Sequence, residues 1–200
     1  DAITAPRLLG PLLSATYGSA IQQQNSFLID QLNKKIGSDL LTLYDNPHLP
    51  RSNGSRYFDG EGVATQSREV FSSGVLNTFF INTYIANKLT MQPTISGPSL
   101  LEMKLGNQDL VARSSSVSEG ILVTGFNGGN SNSSTGDFSF GIEGFLIEHG
   151  CVSHPISEMN ITGNMIELWD SLVAVGNDPI LSSSWRIPSL VFENVKFSGL

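Results

Sequence analysis

His149, Cys151 and His154 form an H-x-C-x-x-H string, and imidazole and thiolate are donors that suit zinc. On a regular strand side chains alternate between faces, so His149 and Cys151 share one face while His154 takes the other. Only a bulge or a break at Pro155 would turn all three onto one metal. The plainer reading is a hairpin carrying one buried thiol and two exposed imidazoles. No H-E-x-x-H string occurs, and three histidines with one cysteine leave no second cluster to complete a site. As a nucleophile, Cys151 would need a cationic neighbour to depress its pKa, and only a histidine is at hand.

Asp59 and Glu61 stand in Phe58-Asp59-Gly60-Glu61-Gly62, two carboxylates held close on a glycine-flanked loop. Such a pair suits a hard cation, or acid–base work through split pKa values. The plainer reading is a turn built by Asp and Gly and anchored by Phe58. Gly125-x-x-Gly128-Gly129 has the glycines of a phosphate nest but neither the following helix nor a lysine, so it reads as a loop. Serine is plentiful, yet there is no G-x-S-x-G elbow. Trp169 and its apolar neighbours read as core. No residue is therefore assigned a catalytic or metal-binding role.

The elements that must position these residues can be read from periodicity and punctuation. Leu8, Leu9, Leu12 and Leu13 recur at helical spacing, with Pro6 suited to a first turn. Phe27, Leu28, Gln31, Leu32 and Ile36 predict a second helical stretch ending at Gly37. A short strand over 40–44 leads into a loop running to Gly62. Residues 68–71 and 75–81 flank Ser72-Ser73-Gly74 as a hairpin, and a short helix follows over 83–89. Later strands are expected over 121–124, 138–147 and 151–156, around a Gly/Asn/Ser-rich loop at 125–136. A helix over 164–175 and a closing strand over 190–197 complete the series. Strands adjacent in sequence and joined by tight turns imply antiparallel pairing. The expected class is α+β, mostly antiparallel, with a barrel-like sheet, N-terminal helices and one late helix.

Composition narrows the functions. Of 200 residues 40% are hydrophobic and 14% charged, enough apolar surface for a folded core. The net charge of −7 and the lack of a basic stripe argue against nucleic-acid binding. One cysteine excludes a disulfide scaffold, and no apolar run is long enough to span a membrane. Asn-x-Ser/Thr triplets at Asn53, Asn132 and Asn160 are what chance supplies in so Asn- and Ser-rich a chain. Asp1–Gly10 has no signal-peptide pattern, so a cytoplasmic location is expected.

Several strings, in order, resemble the TldD/PmbA peptidase family, also labelled modulators of DNA gyrase. They begin with Phe58-Asp59-Gly60-Glu61-Gly62-Val63-Ala64-Thr65, Gly74-Val75-Leu76 and Tyr84-x-Ala86-x-Lys88-Leu89. Thr135-Gly136-Asp137-Phe138-Ser139-x-Gly141 and Glu148-His149-Gly150 follow, then Ile161-Thr162-Gly163-Asn164 and Val173 to Asp178. Family members run to about twice this length, so residues 1–200 are expected to be the C-terminal domain, with an upstream half outside this chain.

The resemblance implies two kinds of subunit, a catalytic one with an HExxxH helix and a distant cysteine on zinc, and a PmbA-like partner without them. The matching helix here runs Leu8-Leu9-Gly10-Pro11-Leu12-Leu13-Ser14 with no His or Glu, and Ser182 to Pro188 holds no Cys. The chain thus resembles the zinc-less subunit, with zinc expected only in a TldD-like catalytic partner. The resemblance implies a dimer that takes unfolded peptide. The expected groove-lining residues are Asp59, Glu61, Thr135, Gly136 and Asp137. Two alternatives stay open, a metallopeptidase in its own right and a non-proteolytic regulator of DNA gyrase.

Overall fold

The computed structural model describes residues 1–199. Helix α1 (Ala5–Ser14) buries Ala5, Leu8, Leu9, Leu12 and Leu13 on one face, as the leucine spacing predicts. Pro6 sits in its first turn, and Pro11, which has no N–H to donate, is accommodated inside it. A short α2 (Gly18–Gln22) follows, with Gly18 against Ile85 and the Phe80 carbonyl, where a Cβ would be tight.

The helix predicted over 27–36 does not form. Gln24, Asp30 and Asn33 take positive φ, which interrupts a helix on either side of Leu28. The amides there bond to distant strands and turns instead: Phe27 N–H to Ser133 O, Asn33 N–H to Leu76 O and Ile36 N–H to Gly74 O. Leu28 and Ile36 are buried all the same, so their apolar spacing reports a packed turn.

Strand β1 (Leu43–Asp45) pairs with β2 (Arg68–Ser72), which turns through Ser73 and Gly74 into β3 (Val75–Leu76). Both turn residues have positive φ, and a Cβ on Gly74 would stand 2.1 Å from Gly37 O. Helix α3 (Thr83–Leu89) is capped by Asn82, whose Oδ1 accepts from Ile85 N–H at 2.8 Å. Strand β4 (Leu101–Met103) and α4 (Leu110–Ser115) were not anticipated from periodicity; both are too short to show one.

The second half is built on long strands. They are β5 (Glu119–Phe126), the two-residue β6 (Asn130–Ser131), β7 (Asp137–Glu148) and β8 (Cys151–Asn164). Phe138, Phe140, Ile142 and Gly144 alternate inward along β7. Helix α5 (Met165–Asp170) is half the predicted length, and the chain runs on as β9 (Leu172–Val175). Beyond Ser171, Leu172, Ala174 and Val175 are buried by strand pairing with β11, not by a continuing helix face, while Val173 is exposed. After β10 (Trp185–Arg186), the predicted closing strand splits at Asn194, which has positive φ, into β11 (Leu190–Phe192) and β12 (Lys196–Ser198).

Three sheets result, ordered β10-β4-β1-β2-β3, β11-β9 and β12-β8-β7-β5, with β6 on the side of β7. Among the described residues, β10 with β4 is the one parallel strand pair, so the mostly antiparallel α+β class holds. The barrel-like sheet is not found: among the described residues no sheet closes on itself. One core joins α1, the first sheet, β7 and α5 through Leu9, Leu12, Phe71, Phe140 and Trp169. No helix among the described residues is long and apolar enough to cross a membrane.

Candidate functional site

The face of α1 turned away from the core carries Pro6, Arg7, Gly10, Pro11 and Ser14, spaced as one side of a helix. With Phe27, Asn130 to Ser133 and Phe140 it lines a groove of about 380 Å³. The Arg7 guanidinium lies 5.4 Å from the Phe140 ring centre, and Phe140 stacks on Phe138 at 5.2 Å. Strand β6, the opposite wall, pairs among the described residues with β7 on one side and with no strand on the other.

Beyond β6 the chain makes a turn knitted by its own side chains. Asn132 Oδ1 accepts from Ser134 N–H at 2.9 Å, and Asn132 N–H donates to Asp137 O at 2.7 Å. Thr135 Oγ1 donates to Asp137 Oδ2 at 2.7 Å, and Asn164 Nδ2 donates to Asp137 Oδ1 at 3.0 Å. Those two donors, the Thr135 hydroxyl first, hold the exposed Asp137 carboxyl below its ordinary pKa. Gly136 has φ +82 and packs against the Phe27 ring, where a Cβ would lie 3.1 Å away. Thr135, Gly136 and Asp137 thus stand next to the groove through Phe27.

Asp59 and Glu61 lie elsewhere and share no partner with that turn. Asp59 is 4% exposed, and its Oδ1 accepts from Glu61 N–H at 2.9 Å and Val63 N–H at 3.0 Å. Oδ2 accepts from Ser96 N–H at 3.1 Å. Burial acts to raise its pKa, but the amides of Ser96 and Val63, the Ser96 hydroxyl and the Glu61 amide outweigh it and leave the pKa lowered. Glu61 Oε2 accepts from Thr83 N–H at 2.9 Å, at the start of α3. Both carboxylates therefore staple their own loop to neighbouring segments.

The H-x-C-x-x-H string lies at the tip of the β7–β8 hairpin. His149 and Gly150, at φ +51 and +78, are its two-residue turn. Cys151 is exposed, contrary to the buried thiol expected, because this end of the hairpin extends past the core and residues 151–155 are all exposed. Among the described residues no three His, Cys, Asp or Glu side chains come together as a metal site. Residues 125–136, read as loop, instead contain the end of β5, all of β6 and the Asn132 turn. Sequence reasoning missed Arg7 and Asn130 to Ser133. The signal available was the outer face of α1, where Arg7, Gly10 and Ser14 repeat opposite the leucines.

A larger cavity of about 590 Å³ lies between the edge strand β5 and the segment 190–197. Its walls are mainly aliphatic, from Leu8, Ile121, Leu122, Leu190 and Val195 among others, and none of the candidate residues lines it.

Residues 1–199 match the model of the PmbA/TldA metallopeptidase C-terminal domain. The chain belongs to the PmbA/TldD metallopeptidase family. Its sequence is 32% identical over 197 residues to the metalloprotease PmbA of Escherichia coli O157:H7, covering 98% of this chain and 44% of that protein. A crystal structure from Bacteroides thetaiotaomicron, presented as a candidate modulator of DNA gyrase, superposes with a TM-score of 0.99 at 63% identity. It covers all of this chain and 46% of its own. TldE from Thermococcus kodakarensis gives 0.84 at 27% identity, over 94% of this chain and 46% of its own. The chain therefore spans less than half the length of these PmbA/TldD relatives.

Zinc, the metal this family implies, does not fit the residues of α1. Its groove face offers guanidinium, hydroxyl and apolar groups, and the helix APRLLGPLLS contains no His, Cys, Asp or Glu. No hydrolytic step is derived through a metal on this chain.

Proposed function

We propose that this chain is the PmbA-like, zinc-less subunit of a two-subunit peptidase. It holds unfolded peptide while a TldD-like catalytic partner supplies zinc and cleaves. The observation that carries the reading is α1: the helix that the family resemblance matches to a zinc-bearing one holds no His, Cys, Asp or Glu here and lines a groove beside an open strand. The free side of β6 offers backbone N–H and C=O groups to an extended chain. Binding by strand addition selects conformation more than side-chain identity, which suits unfolded substrates.

In this proposal Thr135, Gly136 and Asp137 keep the end of β6 in place through their turn. Asp59 and Glu61 shape a second rim of the substrate chamber, with their oxygens committed to Ser96, Val63 and Thr83. The chain forms the C-terminal domain of the longer protein, works as a dimer with its catalytic partner, and does so in the cytoplasm.

The test is reconstitution of the full-length protein with a TldD-like subunit, with zinc measured on each chain by elemental mass spectrometry. Cleavage of an unfolded peptide by the pair, with zinc on the partner alone, is the expected result. Near one zinc per copy of this chain, or binding to a folded gyrase subunit in preference to unfolded peptide, overturns the proposal.

A further inference from the structure

Among the described residues, the groove beside α1 carries a single charged side chain. Arg7 is the charged side chain among its lining residues; the others are small, amide, hydroxyl, proline or phenyl groups. Arg56 and Arg186 spend their guanidinium groups on Ser99 and Glu102, and Arg68 faces Asp45. Arg7 does not: among the described residues no atom accepts a hydrogen bond from its guanidinium, which is exposed and lies over Phe140. A cation held over an aromatic face is oriented before any ligand arrives, so less freedom is lost when it binds a carboxylate.

We infer that the groove takes an extended peptide carrying an acidic side chain, Asp or Glu, which docks on Arg7 while the peptide backbone runs along β6. The inference rests on the peptide-holding reading above and narrows its substrate class. Gly10 and Pro11 leave the groove floor low, since a Cβ added at Gly10 would meet nothing within 4 Å. A peptide paired with β6 turns alternate side chains towards α1, and the one beside Arg7 meets a positive charge with no competing carboxylate in the lining. An internal acidic residue fits better than a terminal carboxylate, which is usually captured by free backbone amides. Here the amides of Thr4, Ala5 and Arg7 already donate to Asp1 O and Thr4 O.

The test uses fluorescence anisotropy with the full-length protein and two labelled, unstructured peptides that differ only by one central Glu or Gln. The Glu peptide is expected to bind about tenfold tighter, as a charge-assisted contact worth about 1.4 kcal/mol requires. Arg7→Gln should bring the ratio of the two affinities to about one, and Arg7→Lys should keep part of the preference. Ser14→Trp, on the exposed outer face of α1, should weaken both peptides by filling the groove. Equal binding of the two peptides to the native protein, or a preference that survives Arg7→Gln, overturns the acidic preference and leaves peptide holding intact. Binding of neither peptide overturns both. Circular dichroism of each variant establishes that it is folded.

Discussion

Asn164 joins a helix start to a carboxylate. Its Oδ1 accepts from Ile166 N–H at 3.0 Å and caps α5, while its Nδ2 donates to Asp137 Oδ1 at 3.0 Å and Thr135 O at 2.8 Å. One side chain thereby couples a core helix to the turn that follows β6. Asn164→Ala is expected to cost about 1 kcal/mol, the usual worth of such a cap, and to lower Tm by ~3 °C. Asn164→Asp keeps a capping oxygen but sets a second carboxylate against Asp137. It should raise the Asp137 pKa, read by NMR titration, and lower Tm at neutral pH although the cap is kept, because two donated hydrogen bonds are replaced by repulsion.

Two buried acids should bend the pH dependence of stability in opposite directions. Asp59 is held below the ordinary carboxyl value, so on acidification the unfolded chain takes up this proton first. Its contribution is complete above that ordinary value and disappears as pH falls through the lowered one. Asp45, 1% exposed, is shifted upward by burial, which the amides of Ser99 and Leu100 and the charges of Arg68 and Arg56 offset only in part. The folded state keeps that proton longer, so stability falls as pH rises from the ordinary carboxyl value through the raised one. Urea unfolding across pH should show Asp59→Asn losing the acid-side decline and Asp45→Asn losing the opposing slope. At neutral pH Asp59→Asn should cost about 1–3 kcal/mol, because one of its oxygens becomes a donor facing donors.

The hairpin tip separates a structural role from a metal role. Gly150→Ala places a Cβ 2.6 Å from Ser115 O at positive φ, and should cost about 2 kcal/mol in thermal unfolding. His149→Asn suits the same backbone and should be neutral within ~0.5 kcal/mol. Replacing His149, Cys151 and His154 together by Asn, Ser and Gln should leave zinc content and proteolysis unchanged in the reconstituted pair proposed above.

Trp169 is fully buried, edge-on to Phe192 at 5.6 Å between ring centres, and its Nε1 has no hydrogen-bond partner among the described residues. Trp169→Ala should cost about 3–5 kcal/mol through the cavity it leaves. Trp169→Phe removes the unpaired N–H along with part of the ring, so the two effects oppose each other. Its expected cost is about 1 kcal/mol, measured by chemical denaturation.

Local spacing was enough for the elements whose hydrogen bonds stay local. The leucines of α1, the short helix α3 and the turns at Ser73-Gly74 and His149-Gly150 act within a few residues of themselves. The composition of α1, without His, Cys, Asp or Glu, is likewise a matter of residue type alone. The turns of 27–36 and the strand after Ser171 were not legible, because their backbone groups bond to segments remote in sequence and a packed turn can mimic helical spacing. The groove was hidden for the same reason. Its walls, α1 and β6, are more than a hundred residues apart; the packing of β7 on α1 brings Phe140 to Arg7, and the pairing of β6 on β7 brings Asn130 to the same groove. Sequence alone determined that α1 holds no His, Cys, Asp or Glu and which of its faces is polar. Tertiary structure decided what that polar face looks onto, since a helix face acquires a partner only when the sheet beside it has formed.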